Sequence, residues 1–257
     1  MAGIKRKEEN KIQKTKIEWV KNPDGSQGYT INPVKGLCPV DCRDSQGSPY
    51  CYARRMYRRF KWNEHIRLDS TVFAPLDGKK PSKIFVGSTM ELFGNWVKPE
   101  WMKFIMERVG VFKEHTFIFL TKRPENLPKE FPPNCWVGVS APNLRDALIA
   151  NKYMAKIQAV VKFLSIEPMF DWTPVDTIAG ILLYYDWIII GAQTPYSVKT
   201  TPRIEWVEEI VNICDKAEIP VFLKNNLKSL LPVDRPFYKP IPLWDDNWEL
   251  RQEFPNG

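Results

Sequence analysis

Six short apolar runs punctuate the chain, each closing in a polar or glycine-containing turn: Lys83–Gly87, Thr116–Leu120, Trp136–Val139, Val160–Leu164, Trp187–Ile190 and Pro220–Leu223. A weaker run, Gly28–Ile31, precedes Asn32-Pro33. Near-continuous apolar runs of this length predict strands buried on both faces, as in a parallel sheet. Helical patterns lie between them. Pro99–Phe112 opens with proline at a plausible first helical position and carries apolar residues at helical spacing. Leu144–Lys156 and Ile204–Lys216 behave similarly, the latter with Trp206, Ile210, Ile213 and Cys214 on one stripe. Strand and helix alternate about six times, which predicts a single α/β domain closed or partly closed as a barrel.

In such a fold the chemistry collects at the C-terminal ends of the strands. The segments there are Gly36–Cys51, Ser88–Glu91, Thr121–Arg123, Ser140, Ser165–Glu167, Gly191–Thr194 and Lys224–Asn226. Composition then removes several kinds of chemistry. Two histidines in 257 residues leave almost nothing for a Ser-His-Asp triad, a multi-histidine zinc site or a two-histidine iron site. No apolar run approaches the roughly 18 residues of a membrane span, and no apolar signal region follows the charged N-terminus. The expectation is a soluble cytoplasmic protein without membrane contact, whose five cysteines form no disulfide framework.

The net charge of +7 is clustered. Residues 1–16, read as a basic tail, carry six cations against Glu8 and Glu9. Residues 54–61 carry five cations and no acid. If 54–61 is helical, Arg54, Arg55, Arg58 and Arg59 share one face, interleaved with Tyr57 and Phe60. That combination suits a phosphate backbone with bases nearby; the alternative is a solvated helix face.

Cys38, Cys42 and Cys51 form a C-x3-C-x8-C pattern directly after the first candidate strand. Three thiolates from one loop suit a soft metal. Structural zinc wants four closed ligands, so His65 or Cys135 would have to complete the set. Three thiolates and an open position suit a [4Fe–4S] cluster. Cys135 and Cys214 read as structural.

The stretch Pro33–Arg55 resembles the cluster loop of the radical S-adenosylmethionine (SAM) superfamily, in which C-x3-C-x2-C is usual with an aromatic before the third cysteine. Cys38 and Cys42 fit, and Tyr50 stands immediately before Cys51; about six extra residues, near Arg43–Ser48, intervene. Further motifs follow in order: Thr15–Trp19, Asn32–Gly36, Cys51–Arg54, Ile84–Val86 with Met90–Phe93, Thr121–Glu125, Val137–Ser140 and Phe163–Pro168. Together they resemble a phage-associated branch of the superfamily described by its three-Cys motif. That branch carries two glycines and Glu-Ser after the sixth strand, where this chain has Gly191-Ala192-Gln193-Thr194, so that carboxylate is lost. Its lysine after the last strand is kept as Lys224.

The resemblance implies a partial (β/α) barrel of about six to seven parallel strands over residues 17–231, with 232–257 as a Pro/Trp-rich extension. It implies a [4Fe–4S] cluster on Cys38, Cys42 and Cys51, with SAM cleaved to methionine and a 5′-deoxyadenosyl radical that removes hydrogen from substrate. An electron donor such as flavodoxin or ferredoxin is implied as well. Tyr50, Ser88, Thr89, Glu91, Lys122, Arg123 and Ser140 become candidates for cofactor binding, and Glu167 and Lys224 for catalysis. Structural readings stand beside these. Ser88-x-x-Glu91 is also a capping box, Lys122 and Arg123 precede a turn at Pro124, and Ser140 could cap the next helix. A nucleic acid or nucleotide is the expected substrate. The competing expectation is a non-enzymatic nucleic-acid-binding or partner protein with a degenerate or zinc-filled cysteine site.

Overall fold

The computed structural model describes residues 12–44, 46–172, 178–195, 198–230, 243 and 249–256. Most of the basic tail and of the C-terminal extension lies outside these residues. The fold is α/β. Seven strands form one parallel sheet: β1 (Tyr29–Ile31), β2 (Lys83–Val86), β3 (Thr116–Thr121), β4 (Cys135–Ser140), β5 (Val161–Ile166), β6 (Trp187–Ile190) and β7 (Val221–Leu223). They lie in chain order, with β1 and β7 at the edges, so the sheet is a partial barrel rather than a closed one. Parallel neighbours need crossovers. Among the described residues five of the six crossovers carry an α-helix: α1 (Tyr52–Phe60), α2 (Pro99–Val111), α3 (Leu144–Met154), α4 (Ile178–Leu182) and α5 (Ile204–Lys216). Among the described residues no helix is long and apolar enough to cross a membrane.

The chain packs as two compact units. The first comprises residues 1–39, 53–119 and 132–135. It buries Ile84, Phe85 and Val86 of β2 and Ile105 and Val109 of α2. His115 is buried here and structural. Its Nδ1 accepts from the Ser82 N–H at 3.2 Å, which leaves the proton on Nε2, 3.4 Å from the Leu76 carbonyl. The Asn134 amide donates to the Val109 and Phe112 carbonyls, both at 3.0 Å, satisfying acceptors that the end of α2 leaves open.

The second unit comprises residues 40–52, 120–131 and 136–257. One face of its strands packs Val139, Leu164, Ile166, Ile188, Ile190, Val221 and Leu223 against Ala147 and Met154 of α3, Ile181 of α4 and Val207, Ile210 and Cys214 of α5. The alternate positions fill the other face with aromatics. Trp187 meets Trp136, Phe163 and Phe222 at ring-centroid distances of 6.0, 5.7 and 6.2 Å. Gly138 lies against Phe163, whose ring would be 2.3 Å from an added Cβ, so only glycine fits there. Residues 249–256 run along β7, with Leu223 N–H donating to the Arg251 carbonyl at 2.8 Å and Glu253 N–H to Val221 at 3.0 Å. Phe254 completes the aromatic layer against Trp187 and Phe222. The segment covers backbone groups that the edge strand would otherwise expose.

Two structural readings from the sequence need correction. No helix begins at Ser88: the backbone turns there after Gly87 (φ 84°), and the Glu91 carboxylate accepts from the Phe93 N–H at 3.0 Å. The capping box is a loop whose glutamate folds forward. Ser140 does not cap α3 either. Asn143 does, accepting from the Asp146 N–H at 2.9 Å.

Candidate active site

In the first unit, Cys38, Ser88, Thr89 and Glu91 come together with Asn32, which opens the Asn32–Gly36 motif but carries no site role in sequence. The Asn32 Oδ1 accepts from the Ser88 hydroxyl at 3.2 Å and from both the N–H and hydroxyl of Thr89 at 3.1 Å. Each hydroxyl that donates to Asn32 keeps its lone pairs as acceptors. The Glu91 N–H points at Cys38 Sγ, 3.4 Å away. Gly36 sits at φ 126° with the Ile66 backbone 2.6 Å from a would-be Cβ, so the turn into Cys38 requires glycine. Helix α1 is docked on the same turn. The Gly36 N–H donates to the Tyr57 hydroxyl at 2.8 Å, and Arg54 donates to the Cys38 carbonyl at 3.0 Å. Arg54 is thereby half-buried and separated in role from Arg55, Arg58 and Arg59, which are exposed.

The second unit holds Cys42, Tyr50 and Cys51. Between the cysteines, Asp44 organises a self-contained turn, its carboxylate accepting from the Gln46 and Ser48 N–H groups at 2.9 and 2.8 Å. Gln46, Gly47, Ser48 and Pro49 are exposed, so the extra residues loop into solvent. Tyr50 packs edge-on against Phe170. Burial pushes its phenol well above the ordinary range, helped by the neighbouring Cys42 and Cys51.

At the C-terminal ends of β4 to β7 the aromatic layer gives way to polar groups. Lys122 donates to the Ser140 hydroxyl at 2.6 Å, and that hydroxyl donates to the Glu167 carbonyl at 3.3 Å. The Glu167 carboxylate accepts from Lys224 in a close ion pair, with 14% and 25% of the lysine and glutamate side chains exposed. Gly191 makes room for this pair, since a Cβ there would sit 2.8 Å from Lys224 and 3.3 Å from Glu167. Asn226, the last residue of the strand-end segment Lys224–Asn226, donates to the Ala192 carbonyl and accepts from its N–H, at 2.8 and 3.0 Å. Arg123 is more exposed and reaches Glu125 at 3.6 Å. Ser165, which pairs in register with Ser140, keeps its hydroxyl buried without a hydrogen-bond partner, as does the Gln193 side-chain oxygen. Unpartnered buried polar atoms are costly, and these two lie at and just past the ends of β5 and β6.

Among the described residues, no three His, Cys, Asp or Glu side chains stand in a metal-binding arrangement. Cys38 belongs to the first unit and Cys42 and Cys51 to the second. All three are partly exposed and none is in a disulfide.

A family model described as protein of unknown function (DUF5131) matches residues 14–228. The chain belongs to the DUF5131 family. No curated protein matches it in sequence. In three dimensions this member of the family is similar to spore photoproduct lyase. Against a mutant form with bound AdoMet and dinucleoside spore photoproduct, identity is 14% and the TM-score 0.50, covering 79% of this chain and 64% of that one. Against a second mutant form, identity is 11% and the TM-score 0.53, covering 84% and 79%. The chain thus spans less than two thirds of the first of these structures. The likeness shows the fold alone: this DUF5131 protein shares the partial α/β barrel of spore photoproduct lyase.

Proposed function

We propose that this DUF5131 protein is a radical SAM enzyme of the phage-associated three-Cys branch, acting on a nucleic acid or nucleotide in a reducing cytoplasm. The observation that carries the reading is the loop after β1. It bears three partly exposed thiols in C-x3-C-x8-C order, on a fold shared with an enzyme crystallised with AdoMet. The donor chemistry fits an iron–sulfur cluster. The buried Ser165 and Gln193 oxygens fit a polar ligand that is yet to arrive.

Cys38, Cys42 and Cys51 would hold a [4Fe–4S] cluster. Cluster and SAM, when bound, supply one-electron chemistry that ends in removal of a hydrogen atom from substrate, with the electron drawn from a flavodoxin or ferredoxin. The chain's own residues bind and orient. Ser88 and Thr89, set by Asn32, accept from an ammonium group, and Glu91 adds opposite charge. Lys122, which donates to Ser140, meets a carboxylate with its positive charge, aided by Arg123. Ser140 faces a ribose hydroxyl. Lys224 Nζ pairs with Glu167 at the strand ends, where a substrate group can meet it. Tyr50 stays protonated beside Cys42 and shields that side of the loop from water. Arg55, Arg58 and Arg59 receive phosphates, while Arg54 braces the Cys38 turn. The dinucleoside lesion bound by spore photoproduct lyase supports a nucleic-acid substrate.

Anaerobic reconstitution with iron, sulfide and SAM tests the reading. A brown protein that releases 5′-deoxyadenosine under reductant is the expected result; a colourless protein that leaves SAM intact overturns it. The stretched C-x8-C spacing and the glutamine at 193 favour a second reading, a non-catalytic nucleic-acid-binding protein with zinc in the cysteine loop.

A further inference from the structure

Helix α1 ends in an arrangement that its charge alone does not explain. Phe60 and Trp62 stack on each other, ring centroids 5.6 Å apart and planes 21° from parallel. Both rings are open to solvent, 49% and 41% exposed. The stack is built from below. Tyr57, buried and hydrogen-bonded to Gly36, meets Trp62 edge-on at 5.2 Å and 87°, and the Trp62 N–H donates to the Tyr57 carbonyl at 3.2 Å. In the chain, Lys61 separates the two residues and sits at φ 51°. A residue with a side chain costs about 1–2 kcal/mol in that conformation, and glycine is the usual solution where a helix ends this way. Here the left-handed turn at Lys61 brings Trp62 back over Phe60.

A cation adjoins the stack. The Arg59 guanidinium lies over Phe60, 5.3 Å from the ring centre. Arg58 and Arg59 are exposed and make no ion pair among the described residues. The nearest acid in the sequence is Glu64. Exposed paired rings cost free energy in water unless something covers them, and the arginine over Phe60, with the exposed Arg58 beside it in the chain, selects an occupant that is flat, apolar on its face and anionic at its edge.

We propose that Phe60 and Trp62, flanked by Arg58, Arg59 and Lys61, form a base-stacking platform for single-stranded nucleic acid. A duplex hides the faces of its bases; an unpaired strand offers them, and stacking on aromatic rings is tolerant of sequence. The inference deepens the nucleic-acid part of the function proposed above and rests on it. It needs neither cluster nor SAM.

The test is fluorescence anisotropy of the full-length protein, without reconstitution, against short labelled oligo-dT, oligo-U and a duplex of equal length, over a salt series. Single strands should bind more tightly than duplex. Phe60→Leu should weaken single-strand binding about 5–100-fold with the salt slope unchanged. Trp62→Leu should do the same, with Trp62→Phe restoring most of the loss, and melting curves confirm that each variant is folded. Arg58→Gln and Arg59→Gln should each lower the salt slope by about 0.7. Wild-type affinity in folded Phe60→Leu and Trp62→Leu, with the salt dependence intact, would overturn the platform and leave the nucleic-acid reading standing. Preference for duplex would do the same. No binding of the wild type to any of the three would remove both.

Discussion

The five cysteines of this chain have two fates. Cys38, Cys42 and Cys51 stand in a loop, partly exposed, beside polar neighbours: a backbone N–H at Cys38 and a phenol at Cys42. Cys135 opens β4 and Cys214 lies on the apolar stripe of α5, both 0% exposed. Burial pushes both thiols up to about 12, so they stay protonated and behave as small hydrophobes. A thiol that keeps its proton is neither nucleophile nor metal ligand. The contrast separates cysteines that can do chemistry from those that fill space, and only the first set carries the function proposed for the protein.

The largest expected effect follows from removing either kind. Cys38→Ala, Cys42→Ala and Cys51→Ala should each abolish cluster assembly and SAM cleavage, read from iron content, the visible spectrum and 5′-deoxyadenosine. Three thiolates act as a unit, so substantial activity in any one of these variants breaks the comparison. Cys135→Ala and Cys214→Ala should leave the spectrum unchanged but cost about 1–2 kcal/mol each, a fall of roughly 2–8 °C in Tm. Loss of iron in either variant at a temperature where it remains folded would break the comparison from the other side.

Next in size is reactivity. In the metal-free native protein, iodoacetamide should label the three loop cysteines and leave Cys135 and Cys214 untouched until denaturant is added, as peptide mapping would show. The same buried thiols set an alkaline limit. An unfolded thiol ionises near 9.0 whereas the folded ones hold their protons to about 12. Between those values the unfolded chain binds fewer protons, so stability is fully present below pH 9 and declines as pH rises above it. Cys135→Ala should flatten that decline in urea titrations at pH 8, 9 and 10; an unchanged slope would deny that Cys135 is a source of it. Smallest is Tyr50→Phe. The variant should keep its iron and slow SAM cleavage by less than about tenfold, because the hydroxyl adjoins Cys42 without being a ligand.

The strands were legible because each is a local apolar run. All seven lie within a residue or two of where the pattern puts them, and the helices at 99, 144 and 204 begin where Pro99, Asn143 and Arg203 precede their apolar stripes. The pairing of 249–256 with β7 had no such signal, since an irregular segment without a period declares its partner only in three dimensions. The site shows the same division. Glu167 and Lys224 stood out singly as polar residues after buried strands, but their ion pair joins positions 57 residues apart. Asn32 and Asn226 stood inside a motif and a strand-end segment without a role of their own, because an amide that organises a loop looks in sequence like one that merely permits it. Lys61 gave no sign at all of its left-handed turn, which a glycine would have announced.

Metal analysis after anaerobic reconstitution tests the central claim most directly. The account predicts about four irons and matching sulfide per chain, no zinc, and a cluster spectrum that changes when SAM is added. One tightly held zinc per chain, no iron–sulfur absorbance and no response to SAM would contradict it and leave the cysteine loop a structural site.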